Sequence, residues 1–315
     1  MRIRLLVAVV VLVVIPLVGS VAAGQVAGHP PSERSLLLPS PLAVAPVGGP
    51  PRQVSAPSDP GADAGPPPTV LIYGDSLLWE AQDQVRSLIG DGATVELESF
   101  GGTALCDYAD RSVERARVTG ARLVVFQFSG NAFTPCMQGA RDLDVIAERY
   151  RADAEAVTAQ LASIGAAVAF VTPPPSLVCR PDAAKTFDER ADGALPAGCR
   201  DRVHPLEAVY RDVAEDGRDR GFAVTAVDGT RNLTGPAGGW TKVLPCDADE
   251  GPAQGCVDGL IDVRAADNGH FCPQVATSSA GVIPGCLTYS AGAARFAATI
   301  ATAVTAAVPD LTRGT

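Results

Sequence analysis

Histidine can take a proton from a hydroxyl group, and its scarcity in this chain leaves few candidates for a catalytic base. The chain contains three histidines, His29, His204 and His270. His29 lies in a proline-rich segment, so a catalytic base would be His204 or His270. His270 ends the tetrapeptide Asp-Asn-Gly-His, whose Asn-Gly step favours a tight turn that would bring Asp267 close to the imidazole. His204 precedes a proline at a predicted helix start, with no carboxylate at a comparable spacing before it, and we interpret it as a surface or capping residue.

Ser76 is the candidate nucleophile. It follows Gly74 and Asp75 at the predicted junction between the first strand and the first helix. Helix N–H groups and the positive end of the helix dipole would lie beside its hydroxyl. A serine at such a junction is also a common helix N-cap, and the tripeptide alone does not exclude that alternative.

Donors for a developing oxyanion would come from the ends of the next two strands. Gly101 and Gly102 follow the second strand and allow backbone to approach a substrate oxygen, because no Cβ intrudes. Asn131 follows the third strand and offers a side-chain amide. Taken singly, these residues also fit ordinary turns. Trp79 and Trp240 either wall a substrate cleft or pack in the usual way.

Strands that alternate with helices would position these residues. Apolar runs predict five strands, at 69–73, 95–100, 121–128, 167–171 and 223–227. Helical spacing predicts helices at 76–89, 143–164, 206–220 and 290–308. This alternation predicts an α/β fold with a mostly parallel sheet covered on both faces. Ligands bind such sheets at the carboxyl ends of the strands, where the candidate residues lie.

Four short blocks, taken in order, resemble the SGNH (GDSL) hydrolase family. They are GDSLL at 74–78, GGT at 101–103, SGNA at 129–132 and DNGH at 267–270. The resemblance implies a three-layer, flavodoxin-like α/β/α fold with a mostly parallel sheet of about five strands. It also implies that Ser76 is the nucleophile, His270 its base and Asp267 the residue that orients the base.

The same resemblance implies an oxyanion hole. Its donors would be the backbone N–H of Ser76, the N–H of Gly101 or Gly102, and the amide of Asn131. The family usually carries an aspartate after this asparagine, whereas this chain has Ala132, which removes a supporting carboxylate. The sequence does not decide between the two glycines. The segment between His270 and the last helix is long and could reshape the acyl pocket.

Cysteine usage indicates an oxidising compartment. The chain has eight cysteines and no C-x-x-C pair, an even count that predicts four disulfides. We favour pairing in sequential order. The predicted pairs are Cys106–Cys136, Cys179–Cys199, Cys246–Cys256 and Cys272–Cys286.

The start of the chain predicts export. Residues 1–23 combine a basic start, an apolar run and small residues, as in a signal peptide. Because this run is nearly long enough to span a bilayer, an uncleaved membrane anchor is the alternative. Residues 24–68 are rich in Pro, Gly and Ala and predict a disordered linker, which leaves 69–311 as the folded domain.

These patterns predict an exported or membrane-tethered serine esterase that cleaves short-chain acyl esters, with acetyl groups on envelope carbohydrate or lipid as one substrate class. No sizeable apolar lid is visible, which favours short chains. An O-acyltransferase using the same residues, or a non-catalytic envelope-binding module, are the alternatives. A net charge of −10 and the lack of a basic run argue against nucleic-acid binding. We expect a monomer that needs no metal or cofactor.

Overall fold

The computed structural model describes residues 66–179, 199–236, 238–278 and 281–313. The predicted signal peptide or anchor and nearly all of the predicted linker lie outside these residues. Within the described ranges, no helix is both long enough and apolar enough to cross a membrane.

A central sheet of five parallel strands organises the fold, and all of its strand pairs are parallel. The strands of the described chain are β1 Thr69–Gly74, β2 Thr94–Ser99, β3 Leu123–Gln127, β4 Ala167–Val171, β5 Ser176–Cys179, β6 Cys199–Arg202, β7 Val224–Val227, β8 Val243–Pro245, β9 Leu260–Asp262, β10 Val275–Ser278 and β11 Gly281–Cys286. The central sheet has the order β2-β1-β3-β4-β7. This order reverses direction beside β1, as in doubly wound folds, so a crevice opens at the carboxyl ends of β1 and β3.

Helices cover both faces of the sheet. They are α1 Ser76–Ile89, α2 Ala109–Thr119, α3 Leu143–Ser163, α4 Leu206–Asp219 and α5 Ala291–Arg313. Strand β1 alternates between the two cores: Leu71 and Tyr73 pack with α2, α3 and α4, while Val70 and Ile72 pack with α1 and α5. The predicted three-layer α/β/α fold is therefore confirmed.

The structure adds one helix and three hairpins to the predicted elements. Helix α2 was missed because its sequence is rich in charged residues and buries little more than Val113 and Ala116. The hairpins pair β5 with β6, β8 with β9 and β10 with β11. Their strands are only three to six residues long, too short for a clear alternation of apolar and polar residues.

Candidate active site

The junction between β1 and α1 is built by Gly74 and Asp75. A Cβ on Gly74 would lie 2.6 Å from the carbonyl oxygen of Gln127 and 2.7 Å from Leu78, so only glycine lets the strand, the helix and β3 approach so closely. Asp75 is the helix N-cap, and its Oδ1 accepts a hydrogen bond from the N–H of Leu77 at 3.1 Å. The alternative in which Ser76 caps the helix is therefore wrong, and its hydroxyl is not used as a cap.

The segment from Asp267 to His270 forms the predicted tight turn. Asn268 adopts φ 63°, a left-handed conformation that asparagine tolerates better than most residues. Asp267 Oδ1 accepts hydrogen bonds from the N–H groups of Gly269 and His270, both at 3.0 Å. The indole N–H of Trp240 donates to the carbonyl of Asn268 at 3.0 Å. Trp240 thus supports this turn, whereas its prediction as a cleft wall finds no support in the cavities described below.

A continuous chain of hydrogen bonds joins Asp267, His270 and Ser76. The distance from His270 Nδ1 to Asp267 Oδ2 is 2.6 Å, and that from His270 Nε2 to Ser76 Oγ is 2.9 Å. With Nδ1–H donating to the carboxylate, Nε2 can accept the hydroxyl proton. Both distances lie within the reach required of a nucleophile and its base.

Electrostatics in this chain of bonds favour a basic imidazole. The hydrogen bond that His270 donates to Asp267 raises the pKa of His270 above its usual value, against the lowering effect of partial burial. The same bond holds the pKa of Asp267 well below its usual range. Asp267 therefore stays ionised at neutral pH and can stabilise an imidazolium cation.

His204 has a different role. Its side chain is buried, and Nδ1 accepts a hydrogen bond from the N–H of Leu206 at 3.2 Å, at the start of α4. The predicted capping role agrees with this contact, whereas the predicted surface position is wrong. The ring also packs against Gly130, where an added Cβ would lie 2.3 Å from a ring carbon. Gly130 adopts φ 94°, so glycine is required here for two reasons.

The third block receives its supporting carboxylate from Asp75. Asp75 Oδ2 accepts hydrogen bonds from Ser129 N and Ser129 Oγ, both at 2.6 Å, and from Asn131 Nδ2 at 3.0 Å. The carbonyl of Asn131 accepts a further bond from the hydroxyl of Tyr150 at 3.0 Å. Ala132 in the third block predicts a loop without a supporting carboxylate. Instead, the residue next to the nucleophile supplies it, a role that the sequence analysis missed.

Burial acts on Asp75 as well. The side chain is fully buried, which raises its pKa, while the bonds from Ser129 and Leu77 act in the opposite direction. Four N–H or O–H donors surround its two oxygens, and such donors favour the ionised form.

The two glycines of the second block have separate requirements. Gly102 adopts φ 81° in a turn closed by a 3.4 Å bond from Thr103 N to the carbonyl of Phe100. Gly101 lies beside the nucleophile, since an added Cβ would be 3.8 Å from Ser76 Cβ and 3.4 Å from the ring of Trp79. The backbone of Gly101 is therefore placed next to Ser76, which the sequence did not reveal.

A second buried carboxylate, Glu80, was also missed by the sequence analysis. Its Oε2 accepts hydrogen bonds from the N–H groups of Phe271 at 2.7 Å and Cys272 at 3.2 Å. Its position four residues after Ser76, on the same side of a helix, is the only signal that could have indicated a role.

Three of the four predicted disulfides are formed in the described residues. They are Cys106–Cys136, Cys246–Cys256 and Cys272–Cys286. Cys179 and Cys199 face each other in the β5–β6 hairpin, but their side chains lie outside the described residues. Cys106, Asp107 and Cys136 form the one cluster of potential metal ligands in the part of the chain described, and the disulfide ties up both of its sulfurs.

Two cavities meet at Ser76 and His270. The larger, of about 600 Å³, is lined by the loop from Ser129 to Phe133, by the Pro173–Pro175 segment and by His204. The smaller, of about 230 Å³, is lined by residues that include Trp79, Gly101 and Cys272. Trp79 forms one wall of the smaller cavity, and its ring stacks on that of Phe100 with centroids 5.2 Å apart.

Comparisons with known proteins find similarity in solved structures. No protein-family model matches the sequence, and no curated protein matches it. A lipase/acylhydrolase from Enterococcus faecalis is 15% identical, with a TM-score of 0.44, over 76% of this chain and 96% of that one. The catalytic domain of peptidoglycan O-acetyltransferase A from Streptococcus pneumoniae is 16% identical, with a TM-score of 0.40, over 76% of this chain and 94% of that one.

An acetyl-xylooligosaccharide esterase from Geobacillus is 12% identical, with a TM-score of 0.36, over 53% of this chain and 78% of that one. Similarities at this level assign no activity to this chain. The observed fold and the meeting of the four blocks at one edge of the sheet agree with the resemblance to SGNH hydrolases.

Proposed function

We propose that this chain is an exported serine esterase that hydrolyses short-chain acyl esters through an acyl-enzyme on Ser76. The observation that carries the proposal is the hydrogen-bonded chain from Asp267 through His270 to Ser76, with distances of 2.6 and 2.9 Å. A module that only binds envelope components has no need of an aligned nucleophile and base.

In the first half of the reaction, Ser76 Oγ attacks the ester carbonyl carbon while His270 Nε2 takes the hydroxyl proton. The tetrahedral intermediate collapses, the bond to the alcohol oxygen breaks, and His270 returns the proton to the leaving alcohol. In the second half, water repeats these steps, with His270 as base, and releases the carboxylic acid. Asp267 orients the imidazole and stabilises its cationic form throughout.

The oxyanion would be bound by the N–H of Ser76, the N–H of Gly101 and the amide of Asn131. We choose Gly101 over Gly102 because Gly101 is the glycine next to Ser76 and lines the smaller cavity. Asn131 has a second amide hydrogen in addition to the one given to Asp75, so it can serve the substrate while it is held in place.

The two cavities fit separate parts of an ester substrate, the acyl group and the alcohol. The smaller cavity, of about 230 Å³, is below the size that usually holds drug-like ligands, and we assign a short acyl group to it. The larger cavity, of about 600 Å³, would receive the alcohol. Its lining includes polar residues such as Arg141 and Ser176, as expected for a hydroxyl-rich alcohol such as a carbohydrate.

The size of the larger cavity also favours a second candidate, an O-acyltransferase. A sugar hydroxyl held there could attack the acyl-enzyme in place of water, with the same residues in the same roles. Product analysis with and without a sugar acceptor separates the two activities.

Export is part of the proposal. Disulfides persist in oxidising compartments, and three are formed in the described residues. The basic and apolar start of the sequence supports the same location.

Labelling with a fluorophosphonate probe, followed by assays on esters of increasing acyl length, tests the proposal. We expect the parent protein to be labelled and to cleave acetyl and propionyl esters faster than octanoyl esters. Ser76→Ala and His270→Ala should abolish labelling, whereas the matched control Ser129→Ala should retain it. Labelling that persists in Ser76→Ala would contradict the assignment of the nucleophile.

A further inference from the structure

Glu80 is a buried acidic residue that the steps above do not use. It lies in α1 and is only 7% exposed. Burying a carboxylate without partners is costly, so its hydrogen bonds indicate what holds it there. Both of its described partners are backbone N–H groups of the two residues that directly follow His270.

These bonds connect the helix of the nucleophile with the loop of the base. Ser76 and Glu80 are four residues apart in α1, so they lie on the same side of that helix. Glu80 Oε2 accepts from Phe271 N at 2.7 Å and from Cys272 N at 3.2 Å. One carboxylate oxygen therefore fixes the backbone on the C-terminal side of His270 relative to the helix that carries Ser76.

The rest of this loop is fixed independently. The carbonyl of Phe271 accepts a hydrogen bond from Ser290 Oγ at 2.8 Å, and the ring of Phe271 packs against Phe296 of α5. On the N-terminal side, Asp267 holds the backbone N–H of His270. Besides the hydrogen bond between His270 and Ser76, Glu80 ties this loop directly to α1, the helix that carries the nucleophile.

We propose that Glu80 is a positioning residue, which sets the distance between His270 and Ser76 and adds negative charge beside the imidazole. This inference rests on the proposed function, because it assigns Glu80 a part in activating Ser76. Displacements of about 1 Å in a reacting pair can lower a rate about a hundredfold. A role in folding alone would leave the reaction unchanged below the melting temperature.

The charged groups around His270 define what a change at Glu80 should do. Asp267, Glu80 and Asp75 each favour the imidazolium form, and burial opposes it. Two cations contact this loop: the guanidinium of Arg264 packs over the ring of Phe271, and Lys242 Nζ donates to the carbonyl of Ala265 at 2.9 Å. Burial raises the pKa of Glu80 itself, while the two N–H donors favour its ionised form.

The test compares Glu80→Gln with Asp83→Asn. The first removes the buried charge and weakens the two hydrogen bonds, whereas the second removes the same charge from an exposed position of the same helix. For Glu80→Gln we expect kcat to fall about ten- to a hundredfold with an unchanged KM. We also expect the acid limb of the pH profile to move to lower pH. Asp83→Asn should match the parent protein in both measurements.

An NMR titration of the histidine ring signals gives a readout that does not depend on activity. His270 is identified by the signal that disappears in His270→Gln, and its pKa should fall in Glu80→Gln. If the parent protein proves inactive, the proposed function fails, while this titration still tests the contact between Glu80 and the His270 loop. An unchanged kcat, or a His270 pKa equal to that of the parent, would overturn the inference.

A folding defect can be separated from this effect. Circular dichroism and the melting temperature of Glu80→Gln show whether the variant is folded at the assay temperature. If it is not, Glu80→Asp keeps the charge but shortens the side chain, so the hydrogen bonds to Phe271 and Cys272 are lost. The inference requires kcat to fall in that variant as well, and an unchanged kcat would refute it.

Discussion

Replacing Asp75 with asparagine tests the link between the nucleophile and the oxyanion loop. In the structure, Oδ1 accepts from Leu77 N, and Oδ2 accepts three bonds from Ser129 and Asn131. The side-chain amide of asparagine has one oxygen and one NH₂ group. Whichever way the amide turns, its NH₂ group faces an N–H donor and cannot accept a hydrogen bond from it. If the oxygen faces the three donors, the capping bond to Leu77 is lost.

The cost can be worked from these contacts. Loss of an N-cap destabilises a protein by ~1 kcal/mol. Hydrogen bonds to charged groups contribute about 1 kcal/mol more than those to neutral groups. Three such bonds therefore add about 3 kcal/mol, for a total loss of about 4 kcal/mol. This is a large part of the ~5–15 kcal/mol that usually stabilises a domain.

Catalysis should fall for a second reason, which a double-mutant cycle can isolate. We expect Asn131→Ala alone to lower kcat by about 10²–10³, as for a lost oxyanion donor. If Asp75 acts on the reaction by holding Asn131, adding Asp75→Asn to that variant should cost little more activity. The control Ser129→Ala removes one bond to Asp75 but leaves Asn131 in place.

Urea unfolding and steady-state kinetics measure the two effects separately. A midpoint that shifts with an unchanged slope reports a change in stability alone. The reasoning would be refuted if Asp75→Asn lowered kcat by the same factor with and without Asn131. It would also be refuted if the free energy of unfolding fell by less than about 1 kcal/mol, the cost of the cap alone.

Three further predictions concern pH, a disulfide and a glycine. An unperturbed histidine titrates near ~6.5. The bond to Asp267 raises the pKa of His270, and the base must be neutral to act. As the pH is lowered, half of the activity should therefore already be lost at a pH above that value. A pH–rate profile checks this, and Asp267→Asn should lower kcat by about 10³–10⁴ and move the acid limb to lower pH. Cys106 comes shortly after Gly101 and Cys136 shortly after Asn131, so the disulfide between them fastens together the two loops that would supply oxyanion donors. The double variant Cys106→Ser/Cys136→Ser should therefore lower kcat about ten- to a hundredfold while the protein stays folded. An unchanged kcat would show that the disulfide only stabilises the fold. Gly130→Ala should destabilise the fold by more than ~1 kcal/mol in thermal unfolding, because φ is positive and the new methyl group would overlap the neighbouring imidazole.

Local patterns predicted the frame of the site. The apolar run of β1 and the helical spacing of α1 are properties of adjacent residues, so the sequence placed Ser76 at their junction. The turn from Asp267 to His270 was predicted for the same reason, since Asn-Gly chemistry acts over four residues.

The supporting contacts depend on distances along the chain that no local pattern spans. Asp75 meets Ser129 across 54 residues, and Glu80 meets Phe271 across 191 residues. The choice of Gly101 over Gly102 depends on which of the two backbones packs against Ser76 and Trp79 of α1. These contacts form only when the chain has folded, so patterns among neighbouring residues could not predict them.

The hydrogen bond between Ser76 and His270 spans 194 residues, so the two groups belong to opposite ends of the folded domain. During synthesis, Ser76 emerges long before His270, the base that we propose for it. On the proposed function, an unfinished chain therefore carries an ordinary serine, and the ability to attack esters arises only when the segment from Asp267 onwards has docked against the first helix. We expect a chain that stops before Asp267 to escape labelling by a fluorophosphonate, and labelling of such a chain would contradict this coupling. In a cell that exports the protein unfolded, this order of events would keep esters of the cytoplasm out of reach of the enzyme until the chain has folded.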